Sequence, residues 1–327
     1  MNSLVCLVAS TLLAGSPGDP PKPIEIIREA ITADAIRASI AELSSDEMGG
    51  RFFRSPFAEK AAKWIESRFD TIGLTHGATK ETYRQPIDTN VGSGPNLIAT
   101  IAATGAESAA ATGNGFIVVS AHYDHLRPKR TGDDRIHNGA DDNASGVCGM
   151  LAVAQAMKAL IAKGEGPSCT ILFIAFNGEE AGLLGSRAFV KSPTVPLAQI
   201  RGVFNMDMIS RGPPREIFID GGEVGAPVVA ALKAANESVG MKLRVDEHPD
   251  WLDRSDQGPF LAKKVPAVLF SVEDHADYHK VSDEVSKIDA ALAAETAQLV
   301  ALAAVNMSKG AFVARAEVVA PAKPAAP

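Results

Sequence analysis

Residues 170–180 read TILFIAFNGEE, an apolar run that ends abruptly in two glutamates. A short run this rich in β-branched and aromatic residues predicts a strand that is buried on both faces of a sheet. Similar runs occupy 96–101, 116–120 and 202–206, with weaker ones at 217–219 and 267–270. Helical patterns lie between or beside them at 55–72, 145–162, 181–190, 224–239 and 286–305. Strands that alternate with helices predict an α/β fold with three layers, a mixed and mostly parallel sheet flanked by helices.

Polar side chains directly follow three of the predicted strands. The motif HYD at 122–124 follows the first, NGEE at 177–180 follows the second, and Asp207 ends the third. Open α/β sheets bind their ligands at the carboxyl ends of the parallel strands. We therefore expect these three motifs to converge in space if their strands are neighbours.

Two further motifs carry acids and an imidazole. GADDNASG at 139–146 precedes a predicted helix, and DYHKVSD at 277–283 follows the strand at 267–270. Taken singly, each of the five motifs is explained as well by a helix cap, a polar turn or an exposed histidine. Five such motifs in one chain, mostly at strand ends, indicate a metal centre instead.

Composition narrows the class of protein. The chain of 327 residues is 46% hydrophobic and 22% charged, which is typical of a folded globular chain. A formal net charge of -7 with no basic block argues against nucleic acid as a partner. No uninterrupted apolar stretch reaches the roughly 20 residues of a membrane span, so none is predicted.

The two ends of the chain differ from the rest. We predict that 1–20 comprises a signal peptide and the start of a proline-rich linker, that 24–310 is a single catalytic domain, and that 311–327 is an Ala/Pro-rich tail. The alternative for the first segment is a buried strand or helix. A signal peptide implies export to the periplasm or the medium, where Cys148 and Cys169 could form a disulfide, but nothing in the sequence places them together.

Five strings follow one another in a fixed order: SAHYDH at 120–125, NGADDNASG at 138–146, NGEE at 177–180, NMDM at 205–208 and YH at 278–279. Together they resemble the di-zinc metallo-aminopeptidases of the aminopeptidase Y and S type, the zinc exopeptidases that are related to glutaminyl cyclases. RSDQGPF at 254–260 and VPA at 265–267 are also similar to motifs of that family. The resemblance covers roughly 36–305.

The resemblance implies a set of five ligands for two zinc ions, with Mn²⁺ or Co²⁺ as possible substitutes. Asp141 would bridge the ions, His122 and Asp207 would complete one site, and Glu180 and His279 the other. Two Zn²⁺ ions, three carboxylates and a bridging hydroxide sum to zero charge, which a low-dielectric cleft tolerates.

The resemblance also implies roles for residues beside the ions. Glu179 would be the general base that activates a metal-bridging water, and Tyr278 would lie near the reacting carbonyl. Asp124 would orient the His122 ring. Asp142, as a neighbour of the bridge, and Asp256 would lie next to the ligands without binding metal, and His125 is assigned no role.

The function implied is hydrolysis of the N-terminal peptide bond of peptides that carry a free N-terminus. One alternative is a glutaminyl-peptide cyclase, which works with a single zinc. The other is a non-catalytic peptide-binding relative that has lost its metals. The sequence makes no prediction of the oligomeric state or of the preferred N-terminal residue.

Overall fold

The computed structural model describes residues 21–87, 94–104, 115–311 and 313–315. The strands are β1 (Thr75–His76), β2 (Arg84–Pro86), β3 (Pro95–Ile101), β4 (Phe116–His122), β5 (Thr170–Phe176), β6 (Ile200–Met206), β7 (Glu216–Asp220), β8 (Lys242–Val245) and β9 (Ala267–Ser271). They form one sheet in the order β1-β3-β5-β4-β6-β9-β7-β8, with β2 paired to β3.

Parallel pairing is concentrated at the centre of the sheet. β5, β4, β6 and β9 run parallel to one another, whereas β3 is antiparallel to β5 and β7 is antiparallel to β9. All seven residues of β6 are buried, as a strand covered on both faces requires. The predicted mixed sheet is confirmed, and its antiparallel pairs lie toward the two edges.

Helices cover both faces of the sheet. They are α1 (Pro23–Ala30), α2 (Ala33–Leu43), α3 (Pro56–Ile72), α4 (Gly146–Ala162), α5 (Leu184–Lys191), α6 (Gly222–Val239), α7 (Gln257–Ala262) and α8 (Ala290–Lys309).

The strand β5 shows how the two faces are divided. Ile171, Phe173 and Ala175 pack into the larger core with α4 and α8, whereas the alternate residues Leu172 and Ile174 pack into a second core with α5 and α7. Side chains that alternate along a strand point to opposite faces of the sheet. This division establishes the predicted three-layer arrangement.

Some elements differ from the sequence prediction. α1, α2, α7 and the short strands β1, β2 and β8 were not predicted. The helix expected from residue 181 begins at Leu184, because the amides of Gly182 and Leu183 donate to the Glu179 carbonyl in a turn and Leu183 has a φ of 60°. The last helix begins at Ala290, where the Asp289 side chain accepts from the amides of Ala291 and Leu292.

Two helical segments, Ala140–Ala162 and Ala290–Lys309, are long and apolar enough to cross a membrane by length and composition. In the fold, 78% and 72% of their most apolar windows are buried, which is also what core helices of a folded domain show. Cys148 and Cys169 are buried and free, so they form no disulfide. The predicted signal peptide and most of the predicted tail lie outside the described residues, and export stays a prediction.

Candidate metal centre

The carboxyl ends of β5, β4 and β6 bring three of the predicted motifs together. These strands are parallel neighbours, so their ends lie at one edge of the sheet. His122 is the last residue of β4, Glu179 and Glu180 follow β5 after a short turn, and Asp207 directly follows β6. The expected convergence of strand-end side chains therefore occurs.

Two groups of ligand-type atoms share one carboxylate. In the first group, His122 Nε2 lies 3.2 Å from Asp207 Oδ1 and 3.5 Å from Asp142 Oδ1. In the second group, His279 Nε2 lies 3.2 Å from Asp142 Oδ2 and 3.3 Å from Glu180 Oε2. The two oxygens of Asp142 thus face different groups.

These separations fit a pair of divalent metal ions. Two atoms bound to one tetrahedral zinc, each about 2.0–2.2 Å from the ion, lie about 3.3–3.6 Å apart. The four separations in the two groups run from 3.2 to 3.5 Å. All donors are imidazole nitrogens and carboxylate oxygens, a set that suits zinc and its close substitutes.

The shared residue is Asp142, which corrects the prediction that Asp141 bridges and Asp142 stands beside it. Asp141 Oδ1 accepts from the amide and the hydroxyl of Ser210, both at 2.7 Å, and Asp141 Oδ2 lies 3.2 Å from His275 Nε2. The Asp141 carboxylate is therefore engaged away from both groups. Asp142 has a φ of -101° and a ψ of 94°, an extended conformation in which successive side chains point to opposite sides.

Asp283 fixes the backbone of the segment Ala140–Ser145, which we call the acidic loop. Its carboxylate accepts from the Asp141 amide at 3.0 and 3.1 Å and from the Asp142 amide at 3.0 Å, while its carbonyl accepts from Ala140. Burial, together with the nearby Asp141 carboxylate, raises the pKa of Asp283 to about 6. The motif at 277–283 thus supports the site at its far end as well as through His279.

The structure also corrects the partner of His122. Its Nδ1 contacts the backbone carbonyl of Asp124 at 3.1 Å, whereas the Asp124 carboxylate lies 3.8 Å away, beyond hydrogen-bond distance. Asp124 Oδ1 accepts instead from the Glu179 amide at 3.1 Å. Burial raises the pKa of Asp124 to about 6. Asp124 therefore orients His122 through its carbonyl and holds the glutamate turn through its carboxylate.

Glu179 and Tyr278 line the same cleft as His122 and Asp142. Burial raises the pKa of Glu179 well above its usual value, against the opposing charge of His122. Tyr278 stacks on His279 with ring centroids 3.9 Å apart, and burial raises the pKa of its hydroxyl. Both predicted catalytic side chains are thus beside the two groups.

Asp256 is buried near this cluster, and burial raises its pKa to about 7. Its charge is one of those that raise the pKa of Glu179. Asp256 is a member of neither ligand group, and its role beside the ligands stays a prediction.

The concentrated carboxylates favour positive charge in the centre. Burial disfavours the imidazolium of His279, yet hydrogen bonds to Asp142 and Glu180 raise its pKa to about 10. Burial likewise opposes ionisation of Glu180, but contacts with His125 and His279 hold its pKa well below the usual value. A site that stabilises protonated histidine against burial has the electrostatics needed to bind a cation.

His125 and Arg51 are among the residues of this region that had no predicted role. His125 Nδ1 lies 2.7 Å from Glu180 Oε1, and the string SAHYDH contained it without distinguishing it from a surface residue. Arg51 is fully buried and donates to the carbonyls of Leu43, Tyr123, Asn138 and Gly139. No sequence pattern pointed to Arg51, because its partners are backbone atoms of distant loops.

Known proteins resemble the chain in sequence and in fold. Leucine aminopeptidase 1 of Arthroderma gypseum is 29% identical over 188 residues, which cover 54% of this chain and 48% of that protein. The chain thus matches about half the length of that relative. The structure of the Legionella pneumophila LapA aminopeptidase has a TM-score of 0.69 at 18% identity, covering 91% of this chain and 78% of the other. The structure of Porphyromonas gingivalis glutaminyl cyclase has a TM-score of 0.64 at 15% identity, covering 84% of this chain and 98% of the other. At these identities the two structures show a shared fold.

These similarities confirm the resemblance that the five strings predicted. The model of Peptidase family M28 matches residues 96–304, from β3 to α8, and so includes every residue of the two ligand groups. Since this match spans more than half of the sequence, the chain belongs to peptidase family M28.

Proposed function

We propose that this protein is a zinc-dependent aminopeptidase that holds two zinc ions and hydrolyses the N-terminal peptide bond of peptides. The observation that carries the proposal is the position of Asp142, whose Oδ1 faces His122 and whose Oδ2 faces His279. One carboxylate shared by two separate ligand groups calls for two ions. The name of the similar leucine aminopeptidase 1 of Arthroderma gypseum agrees with this choice.

Asp142 would be shared between the ions, with His122 and Asp207 completing one site and Glu180 and His279 the other. When bound, the two cations would lower the pKa of a nearby water and polarise the substrate carbonyl. Three carboxylates offset most of the positive charge of two divalent ions, so the loaded centre stays close to neutral in its buried setting.

Glu179 would move the proton. Its side chain lines the cleft without belonging to either ligand group, so it is free to act on a water between them. With cations bound nearby, Glu179 would be in its carboxylate form, which could take a proton from the attacking water and pass it to the leaving amine. Burial, together with nearby carboxylates, raises the pKa of the Tyr278 hydroxyl, so this hydroxyl stays protonated and would donate a hydrogen bond to the developing oxyanion.

The test combines metal analysis with a paired substrate panel. We expect about two zinc ions per chain and turnover of aminoacyl-p-nitroanilides that a chelator abolishes. The same substrates with acetylated N-termini should not react, because the free α-amino group is needed for binding at the centre.

Two other results would each contradict the proposal and identify a different function. About one zinc per chain with cyclisation of N-terminal glutamine would identify a glutaminyl cyclase. Peptide binding without chelator-sensitive turnover across the panel would identify a non-catalytic relative.

A further inference from the structure

We propose that His125 is a positioning residue that fixes the Glu180 carboxylate through a hydrogen bond and thereby strengthens binding of the second zinc. This inference rests on the proposed two-zinc centre. It concerns a residue outside the five ligands and the general base. His125 would act through Glu180 and would not contact the metal itself.

The separations of the atoms support a positioning role for His125. His125 Nδ1 lies 2.7 Å from Glu180 Oε1, which is a charge-assisted hydrogen-bond distance. The ligand-type pairs around Asp142 are separated by 3.2 to 3.5 Å, as two atoms bound to one zinc would be. His125 Nδ1 is also 3.7 Å from Asp142 Oδ2, too far for a hydrogen bond. His125 therefore forms a hydrogen bond with one oxygen of Glu180, although its Nδ1 also lies close enough to the Asp142 and Glu180 carboxylates for the three to be a possible metal-binding group.

Because of that contact, the two oxygens of Glu180 have different roles. Oε1 accepts from His125, while Oε2 lies 3.3 Å from His279 Nε2 and faces the second ligand group. A carboxylate held at one oxygen cannot rotate the other out of the site at low cost. Contacts of this kind to metal ligands orient the ligand and raise metal affinity.

Burial supports a dedicated role for the imidazole. His125 is fully buried, and among the described residues its one hydrogen bond is to Glu180. An ionised carboxylate only accepts, so Nδ1 carries the proton. Nε2 is buried with no hydrogen-bond partner among the described residues, which costs stability. A histidine kept buried at that cost is explained by what its Nδ1 does for Glu180.

The end of β4 positions both His122 and His125. His122 ends β4, and His125 lies three residues further along the chain. One strand end thus supplies a donor atom to the first ligand group and a support to the second.

The experiment measures zinc affinity by competition with a chromophoric chelator for the wild type and three variants. In H125A one zinc, which we assign to Glu180 and His279, should bind about 10–100-fold less tightly, with the other unchanged. H125N places an amide N–H near the Nδ1 position and should recover most of the loss. H137A is the matched control, because His137 is a buried histidine next to His125 that does not contact Glu180, and it should bind both ions normally.

Several results would overturn the inference. They are wild-type affinity in H125A, an equal loss in H125N, or an equal loss in H137A. If H125A does not fold, nitrogen NMR of the zinc-loaded wild type decides, since the inference requires a proton on Nδ1 and a metal-bound Nδ1 would carry none. Fewer than two ions in the wild type would instead refute the proposed two-zinc function.

Discussion

At the scale of single residues, the adjacent acids Asp141 and Asp142 have different tasks. We expect D142N to weaken zinc binding at both sites by more than the roughly 10–100-fold typical of residues that only contact ligands, and to lose most of its activity. D141N keeps an acceptor for Ser210 and should retain both ions. Zinc counted per chain after dialysis separates them. If D142N kept both zinc ions and D141N lost them, Asp141 would again be assigned as the bridging residue.

Glu179 gives a second prediction at this scale. E179Q keeps the size of the side chain and removes its capacity to take a proton. We expect both zinc ions to remain bound while kcat falls by about 10²–10⁴-fold. Parallel measurement of zinc content and kcat checks this. A variant that turns over at the wild-type rate would exclude Glu179 as the general base.

The sequence predicted which motifs meet, but it could not choose between neighbouring acids. The pattern of apolar runs places His122, Glu180 and Asp207 at strand ends, and strand ends converge by the rules of the sheet. Which of Asp141 and Asp142 faces the cleft depends on the backbone dihedral angles of one loop and on Ser210 and Asp283, which are far away in sequence. The role of His125 likewise depends on where Glu180 lies.

At the scale of elements, one buried arginine ties a short helical turn to two ligand loops. The turn Asp46–Arg51 ends in Arg51, whose guanidinium donates to the carbonyls of Tyr123 and Leu43 at 3.0 Å, Asn138 at 2.7 Å and Gly139 at 3.0 Å. Tyr123 follows His122, and Gly139 precedes the acidic loop. Arg51 thus fixes the turn, the end of β4 and the start of the acidic loop relative to one another.

We expect R51M to lower the free energy of unfolding by on the order of 3–5 kcal/mol, because it leaves several buried carbonyls without a donor. R51K keeps the charge but not the planar fork, and should fall between R51M and the wild type. R54M is the control, since Arg54 is exposed and should change stability by less than about 0.5 kcal/mol. Urea unfolding in the presence of chelator measures this without a contribution from metal. If R51M and R54M were equally stable, the predicted structural role of Arg51 would be wrong.

The elements themselves were predictable where their patterns are long or strongly apolar. The central strands and the helices α3, α4 and α6 were predicted close to their observed bounds, whereas α8 begins and ends later in the chain than predicted. α1 and α2 were missed because proline-rich sequence before Pro23 indicated a linker, although Ile24, Ile27 and Ile36 are buried in the core. The short edge strands depend on their neighbours in the sheet, which no local pattern reveals.

At the scale of the whole molecule, the sheet brings acids that are far apart in the sequence together in one buried centre. Asp142, Asp207 and Glu180 come from the acidic loop and from segments after two parallel strands, with Glu179 and Asp256 close by. Without cations, buried carboxylates at this density repel one another and lose hydration. The fold should therefore depend on its metals for part of its stability.

Metal removal tests this dependence. Zinc at about 100 times its Kd stabilises the folded state by about 2.7 kcal/mol at each of two sites. At roughly 2 °C per kcal/mol for a domain of this size, a chelator should lower Tm by roughly 10 °C, and added zinc should restore it. D142N is the control, because it should lose most of the zinc-dependent shift while a general effect of the chelator would persist. The same Tm with and without chelator, in a wild-type chain shown to have lost its metal, would mean that the acids are stable in the fold on their own and that the centre does not need cations to form.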